Sequence, residues 1–107
     1  MSKSLSTLNW HDGNLLDVLF SISAKGKASV VIRALLYGDE QASKREEFQI
    51  ECEGVSRFNS SLDAVELKNN MFAGNISNGY LKDKALWLYF TDGVVEIHAN
   101  KFRLATR

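Results

Sequence analysis

Apolar and polar positions alternate with a period of two over most of this chain, the pattern of strands with one buried and one exposed face. The signal is strongest over Ala85–Asn100. There Leu86, Leu88 and Phe90 share one parity, Val95, Ile97 and Ala99 share another, and Asp92-Gly93 stands between the two runs. Asp-Gly favours a two-residue type I′ turn, because both central residues need φ > 0. That turn predicts Phe90 opposite Val95, Leu88 opposite Ile97 and Leu86 opposite Ala99, every pair apolar. A one-residue slip would set Leu88 against Glu96 and turn the apolar set the wrong way. The other face then carries Trp87 opposite His98 and Tyr89 opposite Glu96.

Three earlier stretches follow the same rule. Asn14–Ser23 places Leu16, Val18, Phe20 and Ile22 on one face, and Ser29–Tyr37 follows after the loop Ala24-Lys25-Gly26-Lys27-Ala28. Glu47–Gly54 alternates Phe48, Ile50 and Cys52 with Glu47, Gln49, Glu51 and Glu53. Pairing Ser23 with Ser29 and Leu36 with Phe48 keeps one apolar face across all three strands. It also sets Arg33 opposite Glu51 and diagonal to Asp17, a mildly stabilising arrangement of opposite charges.

Trp10-His11-Asp12-Gly13 reads as a turn-like entry to the first strand, with Asp12 bonding backbone amides and Gly13 taking φ > 0. Met1–Thr7, polar and serine-rich, reads as a loose end. Between Ser56 and Ala73, Ser60 or Ser61 caps a short helix through Leu62, Val65 and Lys68, while Ala64–Leu67 reads equally as a short strand. Gly74–Leu81 is a strand with a bulge or tight turn at Asn78-Gly79, and Lys82-Asp83-Lys84 turns the chain. Lys101–Arg107 leaves Phe102 and Leu104 to fold back on the sheet. The sum is one all-β (or β-rich α+β) domain over residues 1–107. An antiparallel meander with at most one short helix forms a β-sandwich or small barrel.

Composition narrows the function classes. The chain has 107 residues, 45% of them hydrophobic, with a formal net charge of zero and no proline. Zero net charge argues against a dedicated nucleic-acid or anionic-membrane binder, which needs a surplus of Lys and Arg. Asp39–Glu53 is nevertheless acidic, and Lys101, Arg103 and Arg107 make the end basic. One cysteine, Cys52, excludes an intrachain disulfide and fits a reducing compartment. No signal-peptide pattern and no run of ~18 apolar residues is present, so a cytoplasmic location is expected.

Candidate chemistry is sparse. A nucleophilic site would combine Cys52 with His11 or His98, yet Cys52 falls on the core face and His98 on the outer one. No C-x-x-C, H-x-x-x-H or H-E-x-x-H spacing marks a metal site, and no glycine-rich loop opens a helix to cradle phosphate. Neither metal nor cofactor is expected. The remaining feature is an interaction surface of Trp87, Tyr89 and His98 with Glu96, since Trp and Tyr bury much area while keeping a polar handle. Glu47, Glu51 and Glu53, with Asp39 and Glu40, form a second, acidic surface suited to a basic partner.

The residues Trp10-His11-Asp12-Gly13, Gly54-Val55 and Asp92-Gly93-Val94-Val95-Glu96-Ile97 give the chain a resemblance to small bacterial all-β proteins of unassigned function. Some of these look like immunity proteins of polymorphic toxin systems. The resemblance implies a non-enzymatic domain that neutralises a toxin by occlusion, and it implies no catalytic residues. Two alternatives accompany it. One is a small enzyme or ligand-binding domain using His11, His98 and carboxylates in a shared pocket. The other is a structural subunit, monomer or homodimer, that pairs through an edge strand.

Overall fold

The computed structural model describes residues 8–37, 44–62, 75–90 and 93–106. Six strands account for nearly all of them: β1 (Asn9–Ile22), β2 (Ala28–Tyr37), β3 (Arg45–Ser60), β4 (Asn75–Lys82), β5 (Ala85–Phe90) and β6 (Gly93–Thr106). All neighbours are antiparallel, in the order β1-β2-β3-β6-β5-β4, and β4 returns to β1 to close a barrel. The fold is therefore all-β, and of the two expected architectures it is the barrel. No helix occurs among the described residues. The expected loose end Met1–Thr7 and the residues from Asp63 on, over which the helix or the Ala64–Leu67 strand was placed, lie outside them.

The meander holds within β1-β2-β3 and within β4-β5-β6, but β6 rather than β4 lies beside β3. Two boundaries differ from the expectation for this reason. β3 continues past Gly54 to Ser60 because Arg57–Ser60 pair with Val95–His98. Lys101–Thr106 continues β6 instead of folding back, with Phe102 opposite Cys52 and Leu104 opposite Ile50.

Each predicted hairpin register is displaced by two residues. Phe20 faces Val30, Ala34 faces Phe48 and Leu88 faces Val95. A shift of two leaves every side chain on its own face, so alternation cannot detect it. Turn chemistry decides it instead. In the first hairpin Ser23 N–H donates to the Lys27 carbonyl (2.9 Å) and Gly26 N–H to the Ser23 carbonyl (2.9 Å), with Gly26 at φ 78°. This is a three-residue loop whose last residue is left-handed, shorter than the predicted one. The β4–β5 turn places Asp83 and Lys84 at φ 52° and 64°, the type I′ signature without glycine. At Asp92-Gly93, by contrast, Gly93 is already the first residue of β6, paired with Phe90.

The barrel interior is filled by Val30, Ile32, Ala34 and Leu36 of β2, Phe48, Ile50 and Cys52 of β3, Leu86 and Leu88 of β5, and Val95 and Ile97 of β6. Trp10 joins them at 3% exposure. Its indole lies over Gly79, where an added Cβ would stand 2.7 Å from Trp10 Cγ and 2.7 Å from Leu88 Cδ2. Glycine is thus the side-chain space that the tryptophan occupies.

Burying Trp10 reshapes β1. From Asn9 to Asn14 the strand advances five residues while β2 advances only from Tyr37 to Leu35. This large bulge puts the positive φ on Asp12 (64°), not on Gly13, and throws His11 and Asp12 outward. β4 carries a matching irregularity between Ile76 and Asn78, near the expected Asn78-Gly79 bulge. The two meet at the closing seam, where Gly13 pairs with Ile76 and Asn14 with Asn75. His11 Nδ1 donates across the seam to the Ser77 carbonyl (2.9 Å).

A further bulge between Leu15 and Asp17 turns Leu15 toward the core and leaves Leu16 43% exposed. Beyond it, Phe20 and Ile22 keep the predicted parity but stay partly exposed, with Phe20 stacked on Phe58 of β3 at 5.5 Å between ring centroids.

Two stability changes follow. Trp10→Ala is expected to cost about 3–5 kcal/mol in urea unfolding, since it empties the space over Gly79 at the seam. Lys84→Gly is expected to gain about 0.5–1 kcal/mol in the same assay by relieving a left-handed non-glycine residue.

Candidate functional site

The outer face of β4-β5-β6 carries the one extended aromatic surface among the described residues. Register places Tyr80 opposite Trp87 and Trp87 opposite Glu96, with His98 diagonal to Trp87. The ring centroids of Tyr80 and Trp87 are 5.3 Å apart, those of Tyr80 and Tyr89 5.9 Å, and His98 meets Trp87 edge-on at 5.9 Å. Tyr80 and Tyr89 share a hydroxyl–hydroxyl hydrogen bond of 3.1 Å. Tyr80 is 42% exposed and Tyr89 38%, while Trp87 and His98 are half-buried by their neighbours. Trp10, a conceivable cover for this face, is inside the barrel and does not reach it.

Sequence reasoning grouped Trp87, Tyr89, His98 and Glu96 but missed Tyr80. Alternation alone gives Tyr80 the parity of the buried Ile76; the irregularity between Ile76 and Asn78 turns it outward, and the β4–β5 register brings it beside Trp87.

Polar contacts fix the rim. His98 Nε2 lies 2.5 Å from Glu96 Oε2, and because a carboxylate only accepts, the imidazole donates. That bond, with a weaker contribution from Asn59, holds the Glu96 carboxyl below its ordinary range. The Tyr89 hydroxyl moves the other way, its pKa raised first by the bond to Tyr80 and then by partial desolvation.

The acidic residues on β3 sit in a different environment. Glu51 is bonded by Arg103 of β6, with Glu53 3.7 Å from the same guanidinium. Arg33 of β2 binds Asp17 in bidentate fashion and lies 3.5 Å from Glu47. The register shift puts Gln49, not Glu51, opposite Arg33 and gives Glu51 to Arg103. Asp39 and Glu40 lie outside the described residues. Two arginines thus answer four carboxylates across β1, β2, β3 and β6. Hydrogen bonds from Arg33 and Arg103 hold Asp17 and Glu51 below the usual carboxylate range.

The nucleophile and metal readings find no assembled site. Cys52 is buried at 1% exposure, and desolvation pushes its thiol up to about 12, so it stays protonated at neutral pH. His11 engages Ser77 and lies 3.4 Å from Asp12, whereas His98 engages Glu96 and Trp87. Among the described residues the two histidines share no hydrogen-bond, ion-pair or ring partner. Neither lines the open hollow of about 710 Å³ beside the first hairpin, which is bordered by Ser23, Lys27, Glu53, Asn100 and Lys101. No cluster of three or more His, Cys, Asp or Glu able to hold a metal occurs among the described residues.

The chain matches no family model, no curated protein and no solved structure.

The carboxylates give an acid limb to stability. Asp17, Glu51 and Glu96 have folded-state pKa values below their ordinary 3.8, 4.5 and 4.5, so they bind protons less readily folded than unfolded. Their contribution is present above the unfolded values and is lost as pH falls through the folded ones. The urea midpoint is expected to hold above about pH 5 and to fall steadily below it, with a flatter decline in the Asp17→Asn, Glu51→Gln double variant.

Proposed function

We propose that this protein is a non-enzymatic domain that binds another protein through the Tyr80, Trp87, Tyr89 and His98 face, covering the partner's own working surface. The observation that carries the reading is the contiguity of these rings on three paired strands, half-open to solvent and mutually fixed. Aromatic groups held in place lose little conformational freedom on binding, and Trp and Tyr dominate interface energetics for that reason.

The resemblance to immunity proteins supplies a concrete version, in which the partner is a toxin and the effect is occlusion. Charge plays the smaller part in it. Glu47, Glu51 and Glu53, with Asp17, face only Arg33 and Arg103, so about half of the charge that would steer a basic partner is compensated within the chain. Burial of the aromatic face is left as the main source of affinity, with Glu96 and His98 setting orientation at its edge.

The test begins with affinity capture from the source organism using the intact protein, followed by calorimetry with the retained partner. Trp87→Ala and Tyr80→Ala, each checked for native circular dichroism, are expected to weaken binding on the order of 10-fold or more. Affinity unchanged in both variants would refute the assignment of this face.

A further inference from the structure

The open hollow of about 710 Å³ beside the first hairpin lies where two neighbouring strands change their alternation at the same level. On β3 the core-facing positions run Phe48, Ile50, Cys52 and then Val55 and Phe58. On β6 they run Val95, Ile97, Ala99 and then Phe102 and Leu104. Each strand therefore has two successive residues that miss the core, Glu53-Gly54 and Asn100-Lys101, and the register sets these pairs side by side. Gly54 absorbs the change with φ 65°. Across the hollow, β2 begins at Ala28, and the turn before it carries Lys27 to the opposite border.

The polar side chains around this hollow are unspent. Register puts Lys101 directly opposite Glu53, yet the carboxylate of Glu53 lies 3.7 Å from the Arg103 guanidinium instead. Among the described residues, Lys27, Ser29, Asn100 and Lys101 have no side-chain ion pair or hydrogen bond. Asn100 is seated against Gly54, where an added Cβ would stand 2.8 Å from its Nδ2. The turn itself is internally satisfied. Lys25 and Lys27 N–H donate to Ser23 Oγ, and Gly26 N–H donates to the Ser23 carbonyl, so the turn offers the hollow a lysine side chain on a fixed backbone.

Two ammonium groups, a hydroxyl and a carboxamide thus border an apolar floor of Ala28, Gly54 and Val55. Lysine is a point-charge partner for phosphate, without the planar fork that arginine offers a carboxylate. A phosphate monoester carries about −1.5 to −2 at neutral pH, which two lysines balance. We propose that the hollow binds a small phosphomonoester, its phosphate between Lys27 and Lys101 with Ser29 and Asn100 donating, and its organic group over Ala28 and Val55. Glu53 is the one carboxylate on the border. It opposes the ligand charge, and its contact with Arg103 holds it to the side. None of the four aromatic-face residues borders the hollow, so this site is independent of the protein-binding reading.

Titration of the intact ¹⁵N-labelled protein with phenyl phosphate at constant ionic strength tests this, followed through amide chemical shifts. Saturable shifts centred on Lys27, Gly54, Asn100 and Lys101 are expected, with a dissociation constant of roughly 1 mM or tighter. Inorganic phosphate is expected to move the same amides with weaker affinity, and benzoate to bind more weakly than phenyl phosphate. Lys27→Ala and Lys101→Ala, both at exposed positions, are each expected to weaken binding about 10-fold with the remaining spectrum unchanged. Glu53→Gln is expected to tighten it a few-fold. Lys44→Ala, beside the first residue of β3 at the far end of the β2–β3 pair, is expected to have no effect. The proposal is overturned by an absence of saturable shifts up to about 10 mM ligand. Wild-type affinity in both hollow variants, an equal loss in Lys44→Ala, or benzoate binding as tightly as phenyl phosphate overturns it as well.

Discussion

Trp10 is buried at the place where the sheet closes on itself, and the irregular parts of the fold follow from accommodating it. The indole takes the space over Gly79, so β4 must approach β1 closely there. To deliver the side chain inward, β1 carries extra residues between Asn9 and Asn14, and these project His11 and Asp12 to the outside. His11 in turn bonds the Ser77 carbonyl at the β4 irregularity. One inward aromatic side chain thus accounts for a bulge, a left-handed Asp12 and a polar staple across a short seam. Apolar burial of this size outweighs the small strain of a single left-handed residue.

The closure also explains why the outer surface divides in two. On β4-β5-β6 the registers bring Tyr80, Trp87, Tyr89 and His98 together, while on β1-β2-β3-β6 they bring Arg33 and Arg103 against Asp17, Glu47, Glu51 and Glu53. Both groups occupy outward positions of alternating strands, yet their chemistry differs. Exposed ion pairs are screened by water and add little net attraction for a partner once satisfied internally. Exposed aromatic rings keep their unspent apolar area. That difference, rather than the number of charges, ranks the two surfaces as recognition sites.

Much of the candidate site was legible in the chain. The parity of Trp87 and Tyr89 against Leu86, Leu88 and Phe90 placed them outward, and His98 and Glu96 followed from the alternation of Val95, Ile97 and Ala99. Tyr80 was not legible, because its neighbours across the strand depend on a register that alternation leaves open. The acidic residues show the same limit from the other side. Their outward direction was readable, but their partners were not, since a shift of two residues moves Glu51 from Arg33 to Arg103 without changing any face.

The alternation of apolar and polar residues by itself determined the class, the position of most strands and the face of most side chains outside the bulges. These are local properties with a period of two, and burial enforces them strongly. Tertiary structure alone decided the register of each hairpin, the pairing of β6 with β3, closure into a barrel and the bulges of β1. Register turned on the left-handed Gly26 and on which residues fill the turns, and closure turned on fitting Trp10 beside Gly79. Both are matters of steric fit between segments far apart in sequence, which no local pattern of hydrophobicity encodes.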